Sequence, residues 1–137
     1  MRLALLIPAL ALLTACAGPS MAGDWAGDVT CDGFPLPLEF TLTETEDEYE
    51  YEGSGSVVYS DDQGNDLDVQ FNLDVEHDKA KGDAIDPDFE ASDCTVNGQM
   101  AQCFSLSLTW YLDDDELGGD ATGFYVNSGS CEVDAER

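Results

Sequence analysis

The sequence predicts an all-β protein: a single antiparallel up-and-down β-barrel of about eight or nine strands, with a small β-sandwich as the alternative. Three observations predict it. From Asp24 onward apolar residues recur at every second position, the period of a strand with one dry and one wet face. Clusters of Gly, Asn, Asp and Ser break these runs at short intervals. No stretch after the N-terminal segment shows the 3.6-residue period of a helix. Alternation of this kind belongs to antiparallel sheets with one solvated face. Closing such a sheet removes the edges that invite aggregation, which favours the barrel.

The chain begins "MRLALLIPALALLTAC". Arg2 precedes an apolar run from Leu3 to Leu13 that contains Pro8. The run is too short for a bilayer, which needs about 20 apolar residues. A basic start, a short apolar stretch and small residues at its end describe a secretory signal peptide over residues 1–15. A buried helix of the folded domain is the alternative, disfavoured by the abrupt rise in polarity after Ser20.

Leu13-Thr14-Ala15-Cys16 resembles the lipobox of bacterial lipoproteins, an apolar residue and two small ones before a cysteine. The resemblance implies cleavage before Cys16, attachment of diacylglycerol to its sulfur and acylation of its amine. It also implies the outer membrane, because Ala17 rather than an aspartate follows the cysteine. Residues 16–23 then form a lipidated cysteine and a short tether, and residues 24–137 one acidic domain. Each buried acyl carbon contributes about 0.8 kcal/mol, so two or three chains hold a protein on a membrane almost permanently.

The strands follow in order. The first starts at "GDWAGDV" and ends at Cys31. Leu36, Leu38, Phe40 and Leu42 share the dry face of the next, and a further run ends at Tyr59. Leu67, Val69, Phe71, Leu73 and Val75 share the dry face of another, and Phe104, Leu106, Leu108, Trp110 and Leu112 that of a later one. Reversals are expected at "SDDQGND", "EHDKAKGD", Asn97-Gly98, "DDDELGGD" and "NSGS". Gly23 and Trp25 at the start of the first strand resemble the Gly-x-Trp of lipocalin- and avidin-like barrels, where the tryptophan plugs one end. That family also places a basic residue near the chain end over the tryptophan, and none is evident here. Trp25 as a plain core aromatic is the alternative.

Five cysteines cannot all pair, and lipidation of Cys16 leaves four. In an oxidising compartment these form two disulfides. A strict two-residue turn at Asn97-Gly98 sets Cys94 opposite Ala101. A four-residue loop from Asn97 to Met100 sets it opposite Cys103, and this loop with a Cys94–Cys103 bridge is expected. Cys31 then pairs with Cys131, which suits a barrel whose first and last strands are neighbours. A structural zinc site is a poor alternative, since there is no C-x-x-C pair and His77 is the only histidine.

The chain carries 30 acidic and 4 basic residues, a net charge of −26. Loss of Arg2 takes the mature chain to about −27. Such a surface repels nucleic acid and anionic headgroups alike. A solvated coat explains it, and adaptation to a saline medium explains it equally well. Two acidic turns are candidates for weak calcium binding: Asp61, Asp62, Asp66 and Asp68 in one, Asp113, Asp115, Glu116 and Asp120 in the other. Neither fits the helix-loop-helix calcium spacing, and solvated loops are the simpler reading. His77 reads as an exposed turn residue. There is no phosphate loop or dinucleotide fingerprint, and among thirty acids no catalytic pair stands out.

The expectation is therefore a non-enzymatic, lipid-anchored lipoprotein of the outer membrane. It has no cofactor beyond those calcium candidates, and its barrel binds a small or apolar ligand. A structural or interaction lipoprotein with a fully packed barrel is the alternative. The inner face, mostly Leu, Phe and Val, leans toward packing, and the interior volume decides.

Overall fold

The computed structural model describes residues 19–78, 82–124 and 129–137. The signal peptide of residues 1–15, Cys16 and the start of the tether lie outside the described residues. Ten strands follow one another: β1 (Gly23–Cys31), β2 (Phe34–Glu44), β3 (Glu50–Ser60), β4 (Asp66–Glu76), β5 (Ala84–Ile85), β6 (Asp88–Val96), β7 (Gln99–Met100), β8 (Ser105–Tyr111), β9 (Glu116–Thr122) and β10 (Ser130–Glu136). Every pairing is antiparallel, and the described residues contain no helix. The fold is all-β, as the alternation predicts. The strand count exceeds the expectation because β5 and β7 are two residues each, too short to show a period.

The dry faces are the expected ones. Leu36, Leu38, Phe40 and Leu42 are buried, as are Val69, Phe71, Leu73 and Val75, and Phe104, Leu108 and Trp110. They form one core with Trp25, Val29, Val57, Leu117 and Val133. Two glycines let the sheet close tightly on it. A Cβ on Gly55 would stand 2.6–2.7 Å from Phe40 and the Phe71 ring. Gly119, at φ +155°, brings β9 so close to β8 that a Cβ would lie 2.1 Å from the Ser107 carbonyl oxygen. The expected "DDDELGGD" reversal is accordingly shorter than its sequence suggests. The turn uses only residues 112–115, and Gly118 and Gly119 belong to β9.

The expected barrel closure does not occur. The sheet runs β5-β8-β9-β10-β1-β2-β3-β4-β6-β7 and is open. Its two edges meet in one stretch of chain, because β5 pairs with β8 while β6 pairs with β4. Beyond that point β6 and β8 run close together without a ladder. Pro87, between β5 and β6, has no N–H to donate. Asp93, at φ +49°, is the extra residue of a bulge where the register against β4 shifts between Gln70 and Asn72. A bulge bends its strand and disrupts the local ladder. Asp86, Asp88 and Glu90 add exposed charge to that edge, which further discourages pairing.

Both disulfides form as expected, Cys31–Cys131 and Cys94–Cys103. The route to the second differs. Asn97 (φ 51°) and Gly98 (φ 79°) make a two-residue turn, with Val96 opposite Gln99 and Thr95 opposite Met100. Two positive φ angles match the type I′ hairpin that Asn-Gly favours. Ala101 donates its N–H to the Cys94 carbonyl at 3.0 Å, so the strict register holds and the four-residue loop is absent. The chain then leaves the ladder over residues 101–104, and this excursion returns Cys103 to Cys94 with 5.3 Å between their Cα atoms.

Strand directions alternate, so β1 enters and β10 leaves at the same end, called the lower end below. The turns at 45–49 and 112–115 lie there too, as do His77 and Asp78 after β4. Both disulfides sit toward the upper end.

Candidate functional site

The lower end is closed by side chains from both termini. Met21 is fully buried and Trp25 is 1% exposed. The Trp25 indole Nε1 donates to the Met21 carbonyl at 2.9 Å. Trp25 stacks on Phe40 and meets Trp110 edge-on. The Arg137 guanidinium lies 5.1 Å from the Trp25 ring centroid and 5.6 Å from that of Trp110. It donates to the Ser20 and Ala22 carbonyls and makes a two-point ion pair with Asp115. Trp110 Nε1 donates to the same carboxylate at 3.2 Å. The basic residue that the sequence did not reveal over Trp25 is therefore the last residue of the chain. Ser20 to Gly23, read as tether, is tied to the fold.

His77 stands beside this group and is 4% exposed, not the exposed turn residue its sequence context suggests. It follows Val75 by two, so it continues the dry face of β4 one step past the strand. Its ring stacks on Tyr51, tilts against Tyr49 and meets Trp110 edge-on. Nδ1 lies 2.6 Å from the Asp78 carbonyl oxygen and Nε2 3.2 Å from the Tyr51 hydroxyl. A carbonyl only accepts, so Nδ1 carries a proton, and in the neutral ring Nε2 accepts from the Tyr51 O–H. Both nitrogens are thus engaged within the fold.

The interior is filled. A wholly apolar hollow in the core has a volume of about 20 Å³ and is bounded by Phe40, Phe71, Phe89, Phe104 and Leu108, among others. That is room for about one water. Sites for small organic ligands measure about 300–1,000 Å³. Larger hollows, such as one of about 370 Å³ beside His77 and Asp86, are open depressions in the acidic surface.

Among the described residues no three carboxylates of the acidic turns converge on a metal position. In the first turn the Asp61 carboxylate is occupied by its own loop, accepting from the Gln63 and Asn65 N–H groups and the Asn65 side chain. These bonds hold its carboxyl below the usual range, the Asn65 side chain contributing most. Asp62 stays in the turn while Asp66 and Asp68 lie on β4, where Asp68 accepts from Gln70. In the second, Asp113 is in the turn and Asp115 is committed to Arg137. Glu116 and Asp120 stand four residues apart along β9, about 13 Å at the rise of a strand.

Like charges are instead left facing one another. Glu116 shares a hydrogen bond with Asp134, and that bond, followed by the Asp134 charge, raises its carboxyl above the usual range. A raised acid lowers stability once ionised, and the loss is absent below its unfolded pKa of about 4.5. Glu116→Gln is therefore expected to raise the melting temperature slightly at pH 7. The gain should shrink as pH falls through the carboxylate range; a pH series of thermal melts that shows a constant gain would refute the assignment. The coat as a whole predicts a rise in melting temperature with sodium chloride, as the screening length falls from about 10 Å at 0.1 M to about 3 Å at 1 M. Calcium at matched ionic strength is expected to add nothing further, and an extra rise would mean a cation site exists after all.

No protein-family model matches the chain, and no curated protein matches its sequence.

Proposed function

We propose that the protein is an exported, lipid-anchored, non-enzymatic lipoprotein of the outer membrane whose domain is a packed structural or interaction module. The observation that supports the packed reading, in preference to the ligand-binding barrel expected first, is the interior void of about 20 Å³. The anchor rests on the Leu13-Thr14-Ala15-Cys16 motif and on cysteine parity: the two bridges use four of the five cysteines and leave Cys16 for lipid. A surface near −27 gives an anionic bilayer no purchase, so attachment falls to the acyl chains. The non-enzymatic reading is supported by His77, the chain's only histidine, whose ring is 4% exposed and packed among Tyr51 and Trp110, out of reach of a substrate.

Metabolic labelling with an alkynyl fatty acid should tag the wild type and leave Cys16→Ser unlabelled and released from the membrane. Equal labelling of both would end the lipoprotein reading. Native mass spectrometry of protein taken from its host should show the acyl mass and no retained small molecule. One bound molecule per chain would restore the ligand-binding barrel.

A further inference from the structure

The core is less covered along the β6–β8 line than along the middle of β4. Phe89, Ala91 and Leu106 belong to the dry face, yet they are half-buried, whereas the dry face of β4 from Val69 to Val75 is at most 4% exposed. These residues mark the seam where the two strands approach without a ladder. The seam is fastened at both ends. Below, Ala84 and Ile85 pair with Tyr111 and Trp110, and Thr109 donates its hydroxyl proton to Asp86 at 2.6 Å. Above, the Cys94–Cys103 bridge joins β6 to the off-ladder stretch that leads into β8.

Directly behind the seam lies the small apolar void, and Phe89 and Leu106 line both. Phe104 fills its upper side, edge-on to Phe71 at 5.0 Å and tilted against Phe124 at 5.4 Å. Phe104 is outside any strand, between Cys103 and Ser105, the first residue of β8, so the bridge holds its backbone on one side and the β8–β9 ladder on the other. Every residue around the void is apolar. The rim on the β6 side is exposed carboxylate: Asp86, Asp88, Glu90 and Asp93. Neither β6 nor β8 contains a basic residue.

We infer that the β6–β8 seam is a side entrance to a latent site for a hydrocarbon chain with an uncharged or cationic head, with Phe104 as its stopper and the Cys94–Cys103 bridge as its clasp. The chain takes the apolar space that Phe104 vacates, and the head stays at the acidic rim, which repels a carboxylate. This goes beyond the packed reading, which describes the interior with the clasp closed.

The test uses the full chain carrying Cys16→Ser, free of lipid and detergent, with and without Cys94→Ala/Cys103→Ala; the Cys31–Cys131 bridge is kept. The probe is the uncharged dye N-phenyl-1-naphthylamine. The parent should show no saturable binding. The variant should bind about one dye per chain while keeping a cooperative melt and the near-ultraviolet dichroism of Trp25 and Trp110. Decanol and decyltrimethylammonium should displace the dye at concentrations at least tenfold below decanoate. The inference is overturned if the folded variant binds no dye, if binding appears only as the near-ultraviolet signal is lost, or if decanoate competes equally. Saturable binding by the parent would overturn the clasp. Should the variant fail to fold, Phe104→Ala with both bridges intact replaces it: binding of one dye supports the site, and none overturns it.

Discussion

Trp25→Ala is expected to destabilise the domain by about 3–5 kcal/mol, the usual cost of removing a buried aromatic. The site cannot collapse easily, because four groups pack on the indole and each has a second anchor. Phe40 is held in β2 opposite Trp25, Trp110 in β8, Met21 by its full burial, and Arg137 by Asp115. The contributions can be separated. Trp25→Phe keeps a ring but leaves the Met21 carbonyl without its indole donor, a cost of about 1–3 kcal/mol. Arg137→Ala removes a partly exposed cation from two ring faces and should cost about 1 kcal/mol. Because Arg137 also holds the Ser20 and Ala22 carbonyls, its loss should speed amide exchange just before β1. Urea unfolding at constant slope measures all three. A Trp25→Ala cost near that of Arg137→Ala would mean that the lower end is not part of the cooperative core.

Strand faces were legible because alternation reports burial directly: Leu36 to Leu42 and Val69 to Val75 turned out as their period requires. The same rule applied one step further would have placed His77 inside, two residues after Val75; an acidic, turn-rich context outweighed it. Arg137 carried a weaker signal, a lone basic residue at the end of a strand in a chain with 4 basic residues. Its target, Trp25, lies 112 positions away in sequence, and only the β1–β10 pairing brings them together. Barrel closure was inferred from the exposed edges it would remove, and the adjacency of first and last strands that it implied is real. The open seam lies elsewhere, at β6 and β8, where Pro87 and the Asp93 bulge act. "DPDFEASD" does contain the proline, but a bulge depends on register against a partner and not on local composition. The interior volume is a property of how faces meet, so the residue types could only lean toward a full core.

Removing the Cys31–Cys131 bridge is expected to cost more than removing Cys94–Cys103, although both fasten a strand to a neighbouring segment. The loops they close span 100 and 9 positions. In the chain-entropy model a loop of about 100 residues corresponds to about 4.7 kcal/mol, and one of about ten residues to about 2.7 kcal/mol. The longer bridge continues the β1–β10 ladder just past the Thr30–Glu132 pair, joining the two ends of the fold at adjacent strands. Without it, that ladder of five pairs must itself close a loop of about 100 residues, so folding should slow as well as stability fall. Cys94 and Cys103 are already brought near each other by the Asn97-Gly98 hairpin, so their bridge removes fewer unfolded conformations. Paired Cys→Ala variants compared by urea unfolding and stopped-flow refolding decide the matter. If the two variants lose equal stability, the bridges act through local packing in the native state rather than through the unfolded chain. If only the Cys94–Cys103 variant refolds slowly, the hairpin rather than the β1–β10 ladder governs the folding rate.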